Sequence, residues 1–160
     1  MNKRDLKYFM RESAKREEIV TAPGPESILG EDGKPVTLEI KVLNSEAIQK
    51  INDNYVKRSI AVDKKGNPYI SGGEVAFRTE RDNARASRHM LVEALVYPDL
   101  KDKELMAYYD CDDITDMPLR VFPKMDEYAY VNRVVMAALG LISEPEDESG
   151  NSLIEEAKNS

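Results

Sequence analysis

One histidine, one cysteine and a cluster of aspartates are the side chains in this 160-residue chain whose types could do chemistry. His89 lies between Arg88 and Met90, with no Ser, Cys or Asp spaced to act as its nucleophile or orienting partner. General-base catalysis needs such a partner within hydrogen-bond reach, so a structural or surface role is expected. Cys111 stands in the run DCDD, but structural zinc takes four Cys or His ligands, and one of each cannot supply them. Asp110, Asp112, Asp113 and Asp116 have the composition of a calcium loop without its spacing, because no glycine stands at the turn and the run ends at Pro118. Ser71-Gly72-Gly73 could offer backbone N–H groups to an anion at a helix start. No phosphate-loop or dinucleotide-binding pattern surrounds it, and with Glu74 it has the S-x-x-E form of a capping box, which is the better account. The residues therefore point away from an enzyme and imply no cofactor and no metal.

Basic residues around Lys57, Lys64, Arg78 and Arg85 are interleaved with Tyr55, Tyr69 and Phe77, a combination that a nucleic-acid reader could use. The balance of charge argues against it. Residues 1–95 hold 17 basic and 15 acidic side chains, while residues 96–160 hold 6 and 15, for a net −7 over the chain. Phosphate binding needs a net positive face, so no nucleic acid is expected, and the acidic half suits either a basic protein surface or solvent. No apolar run approaches the roughly 18 residues of a membrane span. The N-terminal charges are followed by no apolar stretch of the signal-peptide kind, and a single cysteine fits a reducing compartment, so the cytoplasm is expected.

A composition of 41% hydrophobic and 33% charged residues describes a chain that folds, and its length suits one domain. Leu6, Phe9 and Met10 predict a short amphipathic helix or an N-terminal arm. EEIVT and VTLEIKVL, the latter alternating Val36, Leu38, Ile40 and Val42 with polar residues, predict a β-hairpin around the Gly- and Pro-rich residues 22–35. NSEAIQKINDNYVKR predicts a helix capped by Asn44 or Ser45. SIAV and PYIS flank Lys64-Lys65-Gly66-Asn67 as a second hairpin. A helix of about 20 residues is expected from Glu74 to the break at Pro98, with a stripe at Ala84, Ser87, Leu91, Ala94 and Leu95. A short helix capped by Asp99 or Asp102 follows, then an irregular connector, then a helix burying Tyr128, Val131, Val135 and Leu139 and ending at Gly140. SEPEDESGN reads as an acidic linker, and SLIEEAK as a short terminal helix. The expected fold is an α+β, mostly helical single domain with two small β-hairpins and a flexible acidic C-terminal tail. Residues 1–21 form an N-terminal helix or arm and first strand, 22–142 the core domain, and 143–160 the linker and terminal helix.

The stretch YPDLKDKELMAYYD (97–110) sets apolar residues among acids just beyond the helix break. It contains most of a V-x-P-D-L-K-x-x-E-L-x-x-Y pattern that begins at Val96, and the chain later carries L-I-E-E-A-K-N. With the hairpin of GEDGKPVTLEIKVL and the late helix of EYAYVNRVVMAALG, these landmarks make the chain resemble the XkdN-like tail assembly chaperones of long-tailed phages and PBSX-type prophages. The resemblance implies a non-catalytic assembly role, binding tape-measure protein and/or tail tube protein in the host cytoplasm, with the factor absent from the finished virion. Homo-oligomerisation stays open. The runner-up is a structural tail completion or connector protein retained in the virion. Tyr97, Leu100, Leu105 and Tyr109, with Leu153 and Ile154 near the C-terminus, are the candidate partner contacts, against the alternative that they seal the core.

Overall fold

A computed structural model describes residues 4–143 and 152–156. Most of the expected acidic linker, residues 144–151, lies outside the described residues, as do residues 157–160. The first described segment forms two 3-10 turns, Leu6–Phe9 and Glu12–Lys15, which bury nothing and leave Leu6, Phe9 and Met10 exposed. This segment is an arm rather than a packed helix.

β1 (Ile19–Pro23) and β2 (Thr37–Lys41) form the expected antiparallel hairpin. Alternation dictates its inner face: Val20 stands opposite Ile40 and Ala22 opposite Leu38, and all four are buried. At the start of the connection the Gly24 amide donates to the Val36 carbonyl at 2.6 Å, an approach that leaves no room for a side chain. α1 (Ser45–Asp53) begins where the Asn44 carboxamide oxygen accepts from the Ala47 amide at 2.8 Å, and it buries Ile51.

Residues 56–81 hold four strands, β3 (Val56–Ile60), β4 (Ile70–Ser71), β5 (Glu74–Val75) and β6 (Phe77–Arg81). The helix expected from Glu74 is therefore corrected. Gly72 and Gly73 both have left-handed φ (61° and 81°) and close a tight turn between β4 and β5, the geometry that joins paired strands with a two-residue loop. Helix α2 (Asn83–Ala94) starts only after Asp82 accepts from the Arg85 amide at 3.1 Å. It gives way to β7 (Leu95–Tyr97) before Pro98, and its buried stripe is Ala86, Met90, Leu91, Val92 and Ala94, while Ala84 is exposed.

α3 (Lys103–Tyr108) is capped by Asp102, as expected, and α4 (Met117–Val121) follows a single 3-10 turn. α5 (Met125–Ala138) buries Val131, Val134, Val135 and Met136 and stops at Gly140, whose φ of 77° lets the Leu141 amide reach the Met136 carbonyl at 3.0 Å. The terminal helix expected in SLIEEAK is also corrected: Glu155–Glu156 is a strand, β8, paired antiparallel with Val20 and Thr21 of β1. A segment this short is a marginal helix, and the open edge of β1 offers its backbone partners instead.

The main sheet runs β7-β2-β1-β8, antiparallel throughout, and α2 lies against β2 and α5. Fully buried Leu38, Ile40, Leu91, Leu100, Val131 and Val135 belong to one core, each contributing about 1.5–3 kcal/mol through burial. Among the described residues 40% are helical and 23% strand, the strands lying in three small sheets. A mixed α+β fold replaces the mostly helical one expected, because Phe77–Arg81, Leu95–Tyr97 and Glu155–Glu156 are strands.

Candidate partner-binding surface

The second hairpin is a larger device than SIAV and PYIS suggested. β3 pairs antiparallel with β6, Val56 opposite Arg81 through Ile60 opposite Phe77, to make a two-stranded stem. At its end three backbone bonds close a junction: Ala61 N–H to Ala76 O at 2.9 Å, Tyr69 N–H to Ala61 O at 2.7 Å, and Ala76 N–H to Tyr69 O at 2.8 Å. Two small turns leave this junction. One is the expected loop, where the Asp63 carboxylate accepts from the Lys65 and Asn67 amides at 2.9 Å each and Val62 bridges Pro68. The other is the Gly72-Gly73 turn.

Every residue of these four strands is exposed. Alternation sorts the stem into two faces. Lys57, Ser59, Arg78 and Glu80 share one, which is wholly polar. Val56, Ile60 and Phe77 share the other with Arg58, Thr79 and Arg81, and the Arg58 guanidinium lies 4.3 Å from the Phe77 ring centroid. Ile60 is 50% exposed and Phe77 54%. A two-stranded ribbon is marginal without a surface to pack on, so the apolar face left open on this one makes it the candidate interaction element. Residues 56–81 carry six basic and three acidic side chains, a net of +3, which leaves −10 on the rest of the chain.

The ribbon is fixed at its root. The Asp82 amide donates to the Tyr55 carbonyl at 2.9 Å. The Tyr55 hydroxyl sits 2.8 Å from His89 Nδ1, and His89 Nε2 is 3.3 Å from Glu93, which is bound in turn by Lys101 Nζ at 3.0 Å. A neutral imidazole protonated on Nε2 satisfies both of its contacts, accepting from Tyr55 and donating to Glu93. Burial alone would raise the Glu93 carboxyl, but the hydrogen bond and charge of Lys101, then the hydrogen bond from His89, outweigh it and hold it below the ordinary range. On the other side, Arg85 pairs with Asp113 and donates to Thr115 Oγ1 at 3.1 Å. The Thr115 hydroxyl and amide, helped by the charge and hydrogen bond of Arg85, keep the Asp113 carboxyl below its usual value against the opposing effect of burial. Asp113 thus serves the DCDDITD segment as an anchor for α2. Among the described residues no group of His, Cys, Asp and Glu is placed to hold a metal ion.

The six residues expected to touch a partner do not form one surface. Leu100 is wholly buried, and Leu105, Tyr109 and Ile154 pack against the core. Tyr97 is exposed on β7, opposite Glu39 of β2. Leu153 precedes β8 at the far edge of the same sheet, half-buried in a groove beside Pro23 and Pro25. The ribbon's exposed face was not read from the sequence because residues 74–96 read as one helix. The Gly-Gly pair was the signal that could have found it, since two consecutive left-handed residues terminate a helix and make a hairpin.

Three comparisons bear on this arrangement. A family model described as phage XkdN-like tail assembly chaperone protein matches residues 6–158. The protein YqbN of Bacillus subtilis (strain 168) is 27% identical over 133 residues, covering 82% of this chain and 81% of that protein. A crystal structure of the protein YqbN superposes with a TM-score of 0.64 at 22% identity, covering 87% of this chain and 98% of that one, and so shares its fold.

Proposed function

The chain belongs to the phage XkdN-like tail assembly chaperone family, and on that premise we propose that it shields an aggregation-prone tail protein, the tape-measure protein and/or the tail tube protein, during tail assembly. The observation that carries this reading is the open Val56, Ile60 and Phe77 face of the ribbon. A chaperone of this kind needs apolar contacts that a client can cover and later release, and a projecting ribbon supplies them without disturbing the core. The role is non-catalytic. Its place is the cytoplasm of the infected or lysogenic bacterium, and the finished virion lacks it.

Coexpression tests the reading. Tape-measure or tube protein made with this chain partitions into the soluble fraction, and Ile60→Ser/Phe77→Ser removes the effect while leaving the chaperone folded. No gain in solubility for either tail protein overturns it. Mass spectrometry of purified particles separates it from a completion or connector role, because a subunit of the finished tail is recovered there and a chaperone is not.

A further inference from the structure

The outer edge of β1 is covered by the chain's own last described residues. The Val42 amide donates to the Glu18 carbonyl and the Gly24 amide to the Val36 carbonyl, so Val20 and Ala22, in step with them, turn their backbone groups toward β2. Thr21 and Pro23 turn theirs the other way. There Glu155 of β8 stands opposite Thr21, and the Tyr130 hydroxyl closes the far end of the edge by donating to the Pro23 carbonyl at 2.7 Å. Ahead of β8, Ile154 packs against the core. Leu153 lines two grooves at once, one of about 410 Å³ beside Lys34 and one of about 680 Å³ beside Tyr130. Its side chain is the partition between two halves of one cleft along β1. The larger half carries Glu26, Asp126 and Glu127 against Arg133, a sum of −2, so an apolar side chain there faces mostly carboxylates.

We propose that the edge of β1 is a strand-addition site, that residues 152–156 close it as a displaceable strap, and that its ligand is an extended client segment with Lys or Arg where the strap has Leu153. An apolar residue matching Ile154 and an acid matching Glu155, which shares the smaller groove with Lys34, complete that segment. Backbone pairing supplies affinity in such a contact, and the pockets for alternate side chains supply selectivity. A long basic side chain covers the apolar wall with its stem and brings its charge to Glu26, Asp126 and Glu127. The strap competes at an effective concentration on the order of millimolar, so a free segment displaces it only by binding more tightly than the strap does. The basic residue provides that advantage. That the client is a tail protein rests on the proposed function; the site does not, because β1 and the ribbon belong to different sheets.

Hydrogen exchange on the full chain tests it. The Thr21 amide points at the strap and the Val20 amide at β2, so in the wild type Thr21 exchanges roughly tenfold faster than Val20 as the strap opens alone. Equal rates overturn the proposal. Leu153→Lys slows Thr21 by tightening the strap, and Ile154→Asp/Glu155→Pro speeds it by removing the core anchor and a strand amide, with Val20 unchanged as the check that the sheet is intact. The probes are the peptide NSLIEEAK and its Leu153→Lys form. The lysine form binds the opened variant roughly tenfold more tightly than it binds wild type, and roughly tenfold more tightly than the unaltered peptide binds the same variant, and it restores protection at Thr21. Binding that leaves Thr21 unprotected, or that ignores the lysine, overturns the proposal, as does an opened variant that dimerises by exchanging straps. Adding Ile60→Ser/Phe77→Ser to the opened variant leaves peptide binding unchanged, so a failure of the ribbon as a chaperone surface is read separately from a failure of this site.

Discussion

Tyr55 and His89 meet edge to face across the root of the ribbon, their ring centroids 5.6 Å apart and the Tyr55 hydroxyl 2.8 Å from Nδ1. Their contact joins the residue before β3 to the middle of α2, and Glu93 and Lys101 extend it to the segment between β7 and α3. An exposed ribbon is thereby tied to the core through one polar chain.

Removing the hydroxyl with Tyr55→Phe leaves the imidazole Nδ1 without its partner and costs about 1 kcal/mol at the root. The Asp82 amide, which donates to the Tyr55 carbonyl, then exchanges with solvent deuterium about fivefold faster, while amides of α5 do not change. Equal exchange at Asp82 in both proteins sinks the idea that this bond holds the ribbon.

Glu93 gives the fold a dependence on acid. Its carboxyl titrates below the ordinary value in the folded state despite burial, through Lys101 and His89. The unfolded chain takes up the proton first as pH falls. Stability from Glu93 is therefore fully present above the ordinary carboxylate pKa of about 4.3 and is lost as pH drops through the lower folded value. Urea midpoints followed from neutral to acid pH fall less steeply for Glu93→Gln than for wild type. Parallel curves contradict the assignment.

The parts of the fold legible in the sequence are those where a local signal and its tertiary setting agree. Leu38 and Ile40 alternate and are buried on one side of β2, Asn44 and Asp102 cap the helices that follow them, and Gly140 ends α5. Illegible were the segments whose partner is distant in sequence. Phe77–Arg81 carries enough helix-compatible residues to extend α2 backward, and only pairing with Val56–Ile60 makes it a strand. Glu155 and Glu156 have no strand propensity of their own; the edge of β1 imposes the conformation. The candidate surface was hidden for the same reason, since the apolar face appears only when Ile60 and Phe77 are known to be opposite.

Gly24 allows β1 to turn into its loop against β2. A Cβ there falls 2.6 Å from the Val36 carbonyl oxygen, a backbone atom that cannot swing aside. Gly24→Ala costs about 1–3 kcal/mol, read as a lower urea midpoint with an unchanged slope. A midpoint equal to wild type shows that the loop yields without penalty.

Leu100 and Tyr97 stand three residues apart and answer to different physics. Leu100 is fully buried, so Leu100→Ala loses transfer energy and leaves a cavity, about 2–5 kcal/mol in all. Tyr97 is 53% exposed on the edge strand, and Tyr97→Ala changes stability by no more than about 1 kcal/mol. Similar losses at the two positions contradict the division of YPDLKDK into a sealed residue and a surface residue.

The ribbon contributes little to the stability of its own fold. Its strands are exposed throughout, and its root is already closed by the bond from the Asp82 amide to the Tyr55 carbonyl at 2.9 Å. That bond has the form of the one that closes a four-residue turn. Residues 56–81 can therefore be replaced by Asn-Gly, a pair suited to both central positions of a tight hairpin turn. Each halving of the closed loop returns about 0.6 kcal/mol of closure entropy, so the shortened protein is as stable as wild type or more so by up to about 2 kcal/mol. Thermal unfolding checks this, and a loss greater than about 1 kcal/mol means the ribbon packs on the body after all. The same protein keeps the core but lacks the Val56, Ile60 and Phe77 face, so under the proposed function it no longer raises the solubility of a coexpressed tail protein. Retention of that effect in a stably folded, ribbonless chain moves the proposed interaction surface elsewhere on the domain.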